Sequence, residues 1–394
     1  MIETKKALPI LFAVMFLVMA GFGIIIPVLP FYAENIGASP TELGYLMAVY
    51  SLMQLIFAPL WGRISDRIGR KPVIMIGILG LAFSFFLTGA SDTLGMLFVA
   101  RIVGGALSAA NMPTAMAYVA DITTPENRSK GMGIIGAATG LGFVFGPAIG
   151  GVFSKIDLSI PFFVAGGFSL FTFLLVLFFL KESLAKENRG QSEKEKTSMW
   201  QSFKGSQSIL FFLQLFISLS LAGLETTFAY FAAKKAGLGT IQLGYVFMIM
   251  GLVSAFIQGG VMGRVAKKYG EGLVIKAGIV ISAIGFGLIL LVDSFATAAI
   301  FLSIFGIGNG VIRPAVSALL TKTVASGHGS VTGLLSSFDS LGRIAGPPIG
   351  GALYGIAIGL PYISGILLSV VALVLYFIYS AQSKTTEQNL FFNK

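Results

Sequence analysis

Long apolar stretches separated by short polar ones run along the whole chain. Twelve of them are about 20 residues or longer and contain few charges, and we number them segments 1 to 12. In order, they cover residues 8–33, 41–62, 72–91, 94–120, 131–154, 159–181, 207–233, 240–265, 272–292, 294–322, 330–355 and 359–380. An apolar helix of this length spans the hydrocarbon core of a bilayer and satisfies its own backbone hydrogen bonds. The pattern therefore predicts an all-α membrane protein with twelve transmembrane helices.

A block of glycines and a proline occurs twice and divides the chain into halves. Residues 142–151 and 342–351 share the pattern G-x-x-x-G-P-x-x-G-G at a displacement of 200 residues. Long duplications are common in membrane transporters, and this one predicts two pseudo-symmetric six-helix bundles. The predicted divisions are an amino-terminal bundle at 1–181, a cytoplasmic linker at 182–205, a carboxy-terminal bundle at 206–381 and a disordered cytoplasmic tail at 382–394.

Composition supports a membrane environment. Hydrophobic residues make up 55% of the 394 positions and charged residues only 11%, against about a quarter in ordinary soluble domains. The 50 glycines allow close helix packing in lipid, and the absence of cysteine excludes disulfides and thiol chemistry.

The basic excess follows the topology of the predicted helices. The net charge is +10, and 21 of the 27 Lys and Arg residues lie at the termini or in alternate connections, while the opposite connections hold Lys155, Lys234 and Lys235. By the positive-inside rule, both termini are expected on the cytoplasmic side. This placement argues against nucleic acid as a partner.

A charge-dense turn joins segments 2 and 3. Asp66 can accept from amide groups at a neighbouring helix start, and Arg70 can pair with a carboxylate such as Asp121, although a plain positive-inside loop is an equal alternative. The turn, G-R-I-S-D-R-I-G-R-K, resembles the cytoplasmic signature of the major facilitator superfamily. The resemblance implies a latch that holds the cytoplasmic side closed, formed by Gly62, Asp66, Arg67, Gly69, Arg70 and Asp121. The second half carries Lys267 in place of Asp66, so we expect only the first latch to be complete.

Three further motifs narrow the resemblance. Residues 21–30 in segment 1, residues 101–105 in segment 4 and the block at 142–151 in segment 5 are similar to signatures of the twelve-helix drug:proton antiporters, and especially of multidrug efflux pumps of Gram-positive bacteria. The resemblance implies the major facilitator fold, a multi-pass location in the bacterial cytoplasmic membrane, and transport driven by the proton gradient without a cofactor. The expected partners are protons, small amphipathic substrates and the lipid bilayer, and we expect a monomer.

The segment 5 block has a physical interpretation as a packing device. Gly142 and Gly146 lie one turn apart on one helix face, and Pro147 removes a backbone donor and loosens the helix. The resemblance identifies the block as the antiporter motif, whose members are Gly142, Gly146, Pro147, Gly150 and Gly151. Ordinary small-residue packing without a role in switching is the alternative.

Two acids, Glu225 and Asp339, fall inside predicted membrane helices, where a charge costs about 2.5–3.5 kcal/mol on insertion scales. Desolvation penalises the ionised form of such a carboxyl, so Glu225 can carry a proton near neutral pH and, once ionised, attract a cationic substrate. A polar residue that bonds a neighbouring helix is the alternative. Asp339 and Arg343 are one turn apart and can form an intrahelical pair, either structural or released by protonation.

Two more arginines lie at membrane depth. Arg101 has an implied role in proton transfer, and the alternative is a tether from segment 4 to segment 1 through backbone carbonyls. Arg313 can pair with Glu225 or Asp339. Related pumps often place an acid just before this arginine, where Asn309 and Gly310 stand here, and the resulting excess of arginine suits an anionic or zwitterionic substrate. The predicted proton-coupling residues are Glu225, Asp339, Arg101, Arg343 and Arg313.

An apolar cavity with few polar groups fits a promiscuous substrate site. Its predicted wall residues are Phe22, Ile26, Gln54, Met112, Phe143, Phe228 and Asn309, and the alternative for each is an ordinary core or lipid-facing position.

No residues have metal-ligand spacing, and no arrangement suggests hydrolysis, so we expect neither a metal nor an enzyme.

The sequence favours proton-coupled export of amphipathic drugs, multidrug or tetracycline-like, by alternating access. The alternatives are proton-linked or facilitated transport of a specific metabolite or lipid, and a nontransporting membrane sensor. Thr139 and Phe143 become Asp339 and Arg343 in the second half, and Ile25 is expected to correspond to Glu225. Because the second half collects the buried charge, we place the proton site there.

Overall fold

The computed structural model describes residues 2–185, 187, 189–190, 207–323 and 328–392, and the regular elements in these ranges are all helical. They are α1 (Ile2–Asn35), α2 (Pro40–Ile68), α3 (Arg70–Gly89), α4 (Leu94–Ser108), α5 (Asn111–Ile122), α6 (Pro125–Phe153), α7 (Ile160–Phe179), α8 (Gln207–Ala236), α9 (Thr240–Phe256), a π-helical stretch (Ile257–Met262), α10 (Gly263–Tyr269), α11 (Glu271–Ile289), α12 (Phe295–Thr323), α13 (His328–Ile356) and α14 (Leu360–Phe392).

Each predicted segment corresponds to one helix or to two or three consecutive helical elements. By length and composition, eleven helical spans in the described ranges are apolar enough to cross a membrane. The twelfth, α13, has 29 residues and is more polar because it contains Asp339, Arg343 and several serines. The predicted all-α fold with twelve membrane helices is confirmed.

Two segments are interrupted. Segment 4 consists of α4 and α5, and Pro113 accounts for the break because its ring cannot accommodate the carbonyl of Ala109. Segment 8 consists of α9, the π-helical stretch and α10, and the stretch contains Gly259 and Gly260, which weaken regular helix.

The ends of the helices differ from the predicted ends. α2 continues to Ile68 instead of ending at 62, and α14 continues to Phe392, so the prediction of a disordered tail from 382 was wrong for the described part of that tail. Loss of hydrophobicity ends a membrane span, but residues such as Lys, Glu and Gln still propagate a helix that has already formed. Residues 191–206 of the predicted linker lie outside the described residues.

The chain forms two compact units. Unit 1 contains Met1–Lys194 and Leu238–Met248, and unit 2 contains Glu195–Gly237 and Ile249–Lys394.

In unit 1, glycines of α6 lie directly against the backbone of α1. A Cβ on Gly142 would lie 2.5 Å from the carbonyl oxygen of Phe16, and one on Gly146 would lie 2.5 Å from that of Ala20. Gly150 is equally close to the carbonyl of Ile24. Larger residues cannot occupy these positions unless the helices separate.

The same packing recurs in unit 2 between α13 and α8. A Cβ on Gly342 would lie 2.8 Å from the carbonyl oxygen of Leu215, and one on Gly350 would lie 2.8 Å from the Cα of Gly223. The α8 residues that contact the glycines of α13 lie 199 residues after the α1 residues that contact the corresponding glycines of α6. The counterpart of Glu225 is therefore Ile26, and the predicted correspondence with Ile25 was wrong by one residue.

Candidate proton-coupling and substrate site

Unit 2 brings four charged side chains into one connected network, which we call the charged network. Asp339 Oδ2 lies 3.3 Å from Arg313 Nη1 and 3.5 Å from Arg343 Nε. Arg343 Nη1 also lies 3.8 Å from Glu225 Oε2. The predicted Asp339–Arg343 pair is thus present, Arg313 takes Asp339 as its partner, and Arg343 stands between the two acids.

Asp339 is the best-satisfied member of the charged network. It is buried, and its Oδ1 accepts hydrogen bonds from Gln214 Nε2 at 3.0 Å and from Ser218 Oγ. Sequence reasoning missed Gln214 and Ser218. Their spacing carried a signal, because Gln214, Ser218 and Glu225 stand at i, i+4 and i+11 and therefore share one face of α8.

The glycine block of α13 explains how these groups meet. Gly342 lies against Ser218, with a Cβ built on the glycine only 2.7 Å from the serine Cβ. Because the two helices approach so closely, the short side chain of Ser218 on α8 reaches Asp339 on α13. The duplicated block therefore shapes the charged network as well as packing the bundle.

The acids of the charged network are more buried than its arginines. The side chains of Asp339 and Glu225 are 10% and 21% exposed, and those of Arg343 and Arg313 are 38% and 49% exposed. Two acids face two arginines, so the formal charge is balanced when both acids are ionised. Asp339 and Glu225 are therefore the more buried members of the charged network, and Arg313 is its most exposed member.

In unit 1, Arg101 stacks on an aromatic ring. Its side chain is buried, and its Cζ lies 5.7 Å from the centre of the Tyr50 ring on α2. Nε and Nη2 of Arg101 have no hydrogen-bond partner among the described residues. The alternative of a tether to α1 through backbone carbonyls is not observed, and a cation–π contact holds the guanidinium instead.

Tyr50 also gathers three of the predicted cavity residues. The ring of Phe22 lies 5.2 Å from that of Tyr50 and 6.1 Å from that of Phe143. Gln54 Nε2 donates to Tyr50 Oη at 3.3 Å. Sequence reasoning missed Tyr50, although it precedes Gln54 by one turn on the same face of α2.

The other four predicted cavity residues differ in burial and in the unit to which they belong. Ile26 and Met112 are half-buried in unit 1, and Asn309 is half-buried in unit 2. Phe228 is fully buried in unit 2 and belongs to the core, so it presents no open wall in this structure.

Three residues of the predicted latch, Asp66, Arg70 and Asp121, contact one another through Arg70. Its guanidinium lies 2.6 Å from Asp66 Oδ1 and 3.1 Å from Asp121 Oδ2, and it donates to Ser65 Oγ at 2.7 Å. Gly69 makes the turn possible because its φ of +112° lies in a region that other residues rarely adopt.

Three details of the latch differ from the prediction. Glu182, and not Asp66, accepts from the amides at the start of α3, at 2.8 Å from Arg70 N and 3.2 Å from Lys71 N. Gly62 lies inside α2, and a Cβ added there would meet open space, so it is not a turn glycine. Arg67 is exposed and forms no ion pair in the described part of the chain.

The second half has an ion pair of its own at the equivalent place. Glu271 and Lys322 stand 201 residues after Arg70 and Asp121, and their side chains form a salt bridge in unit 2. The second half thus has no acid in place of Asp66, since Lys267 stands there as expected, but it keeps a counterpart of the Arg70–Asp121 pair. Both halves carry an ion pair at this position, with the two charges exchanged.

Comparisons with known proteins agree with this architecture. A family model described as the Major Facilitator Superfamily matches residues 11–272 and 259–391. Multidrug resistance protein 2 of Bacillus subtilis (strain 168) is 32% identical over 383 residues, which cover 96% of each chain. Quinolone resistance protein NorA of Staphylococcus aureus (strain MSSA476) is 27% identical over 391 residues, 98% of this chain and 100% of that protein.

Among solved structures, the nucleoside transporter NupG matches with a TM-score of 0.78 over 96% of this chain and 99% of that one. At 15% identity, this likeness shows the fold alone. The resemblance that the motifs carried, to multidrug efflux pumps of Gram-positive bacteria, is confirmed by the relatives. The chain is therefore a membrane transporter that belongs to the Major Facilitator Superfamily.

Proposed function

We propose that the protein exports amphipathic compounds, multidrug or tetracycline-like, in exchange for protons by alternating access. The observation that carries the proposal is the unequal satisfaction of the two membrane acids. Asp339 has two hydrogen-bond donors and two arginines, whereas Glu225 has one arginine contact at 3.8 Å. The names of the relatives, which refer to multidrug and quinolone resistance, support a drug-like substrate.

Glu225 is the acid that exchanges its proton in this mechanism. Donors that face a carboxylate stabilise its ionised form, so Gln214, Ser218 and the arginines favour a permanently ionised Asp339. Among the described residues no such donor faces Glu225, and burial penalises its charge. It can therefore take up a proton on one side of the membrane and release it on the other.

Competition between a proton and the substrate for Glu225 couples the movement of protons to the movement of substrate. When Glu225 is ionised, it attracts a cationic group of the substrate, and when it is protonated, it does not. Arg343 keeps Asp339 as a partner in both states, at 3.5 Å, so protonation of Glu225 leaves no isolated arginine. Proton and substrate then occupy the site in turn, as exchange requires.

The energy source is the proton gradient, and no cofactor is needed. Each net positive charge that a transport cycle moves inward provides about 2.3 kcal/mol per 100 mV, enough for a roughly fifty-fold substrate gradient. The Arg70 cluster in unit 1 and the Glu271–Lys322 pair in unit 2 are the proposed latches of the cytoplasmic side.

We place the protein in the bacterial cytoplasmic membrane as a monomer with both termini inside.

Everted membrane vesicles with an acidic lumen test the direction of exchange. Addition of a transported drug is expected to alkalinise the lumen, because drug enters as protons leave, and a lumenal pH dye reports the change. Lumenal acidification would instead indicate symport of a metabolite or lipid. No response to any compound of a chemically varied panel would favour a nontransporting sensor, and vesicles without the protein are the control.

A further inference from the structure

We propose that the groove between α11 and α14 binds an anionic phospholipid, with Lys276 and Tyr376 holding the phosphate and the apolar edges of the groove holding the acyl chains. The inference requires only that the chain is a membrane protein, and it does not depend on the transported substrate or on proton coupling. It gives a role to two polar residues that the proposed transport mechanism does not use.

Lys276 lies inside a membrane helix, at the edge of its outer face. It is five residues from the start of α11, whose exposed face carries Leu273, Val280 and Ile284, and it is itself half-buried. Its side chain forms no ion pair in the described ranges. A lysine near the end of a membrane helix extends its ammonium group towards the headgroups, where phosphate is the anion that it meets.

Tyr376 on α14 contributes a hydroxyl to the same end of the groove. Its side chain is buried, and the hydroxyl lies against Gly272 of α11, where a built Cβ would overlap it. Lys276 follows Gly272 by one helical turn and therefore stands on the same side of α11. The Tyr376 hydroxyl has no hydrogen-bond partner among the described residues. An ammonium group and a hydroxyl thus offer two unused donors at one place.

The first half has neither donor at the corresponding positions. α3 and α11 correspond at 201 residues, so Met75 stands in place of Lys276. α7 and α14 correspond at 200 residues, so Val176 stands in place of Tyr376. The same packing of helices therefore forms with apolar residues at both positions. Packing alone does not require a lysine and a tyrosine in the second half.

A lysine near this place in the first half has an internal partner. Lys71, the counterpart of Gly272, donates from its Nζ to the carbonyl oxygen of Leu177 at the end of α7, at 2.7 Å. In the second half, a glycine at that position leaves room for the hydroxyl of Tyr376. The lysine of α11 stands four residues further along the helix, where it needs an acceptor from outside the described chain.

The edges of the groove are apolar and exposed. Val280 and Ile284 form the edge on α11, and Val370 and Phe377 form the edge on α14. Acyl chains that lie along these side chains bury apolar surface, which a free phosphate ion cannot do. Two donors at one end of an apolar groove therefore fit a phospholipid better than an inorganic anion.

The charge around the groove favours an anionic headgroup over a zwitterionic one. The end of α10, just before α11, carries three exposed cations, Arg264, Lys267 and Lys268, and none of them forms an ion pair in the described part of the chain. The acid next to them, Glu271, is already bound to Lys322. Each cation near a membrane surface raises the affinity for anionic lipid about fivefold.

Native mass spectrometry of the purified full chain tests the proposed site. Delipidated protein in detergent is incubated with equal amounts of phosphatidylglycerol and phosphatidylcholine that have the same acyl chains. The wild type is expected to bind phosphatidylglycerol about fivefold more tightly or better, and this preference is expected to fall at high salt. Glycerol phosphate, which has the anionic group without acyl chains, is expected not to displace the lipid.

Substitutions assign the two donors. Lys276→Met, which introduces the residue of the first half, is expected to weaken binding of phosphatidylglycerol about fivefold and to affect phosphatidylcholine less. Tyr376→Phe is expected to weaken binding of both lipids about threefold, because both contain the phosphate. Lys276→Arg is expected to keep the preference. Lys235→Met removes an exposed cation at the end of α8 and is expected to change neither affinity.

The Tm of the lipid-free protein separates a lipid site from a structural role. Lys276→Met is expected to leave this Tm unchanged or to raise it, because the substitution removes an unpaired charge from a membrane helix. A lower Tm would show that Lys276 supports the fold and would overturn the inference. Equal binding of the two lipids by the wild type, or an undiminished preference in Lys276→Met protein, would overturn it as well.

Discussion

Glu225→Gln protein is expected to lose proton-driven export by about 100-fold or more, because glutamine cannot carry the exchanged proton. Glutamine has nearly the same volume as glutamate and can still face Arg343, so the packing of α8 against α13 is preserved. Asp339 remains as the partner of Arg343. The measurement is drug transport in proteoliposomes driven by an imposed pH gradient.

Asp293→Asn is the matched control for this substitution. Asp293 is an exposed acid of the same unit, in the connection between α11 and α12, and its loss is expected to leave transport unchanged. Export by Glu225→Gln protein at the wild-type rate, with normal coupling to the pH gradient, would show that the proton is carried elsewhere.

Gly146→Ala is expected to destabilise the protein by about 1–3 kcal/mol, the range typical of overpacking in a well-packed interior. The added methyl would lie 2.5 Å from the carbonyl oxygen of Ala20 and 2.7 Å from the Cα of Gly23. Both are backbone atoms of α1, so no side chain can move aside, and the two helices must separate. A lower Tm in detergent and reduced transport are the expected results.

Gly140→Ala on the same helix is the control. Nothing lies within 4 Å of a Cβ at Gly140, and alanine favours helix over glycine by about 0.5–1 kcal/mol, so this variant is expected to be as stable as the wild type or slightly more stable. Equal Tm values for the two variants would mean that the block in α6 does not set the distance between the helices.

The features that the sequence predicted correctly depend on spacing along one helix. Long apolar stretches predicted the membrane helices, and the four-residue spacing of Asp339 and Arg343 predicted their pair. The spacing of Gly142 and Gly146 likewise predicted close packing, which the contacts with α1 now specify. In each case the period of the α-helix was sufficient to predict which residues share a helix face.

The features that sequence reasoning missed depend on contacts between helices. Glu182 replaces Asp66 at the start of α3 because the end of α7 approaches that turn, which no local pattern records. The pair of Glu271 and Lys322 was missed because each charge was compared with its counterpart and not with its partner. Comparison of paired positions across the repeat would have found it.

The spacing of residues along one helix could not predict the register between the two halves of the repeat either. α6 and α13 correspond at 200 residues, but their partners α1 and α8 correspond at 199. Only the contacts between the helices reveal this difference. Glu225 consequently occupies the position of Ile26, which is itself a predicted cavity residue, so one position carries an apolar group in one half and the proposed proton site in the other.

The most direct test of the account is the number of protons released when substrate binds. Purified protein in weakly buffered detergent solution, at a pH where the site is protonated, is titrated with a transported compound while the pH is recorded. Competition at Glu225 predicts release of about one proton per bound substrate by the wild type and none by Glu225→Gln protein at saturating substrate. Equal proton release by the two proteins would contradict the account.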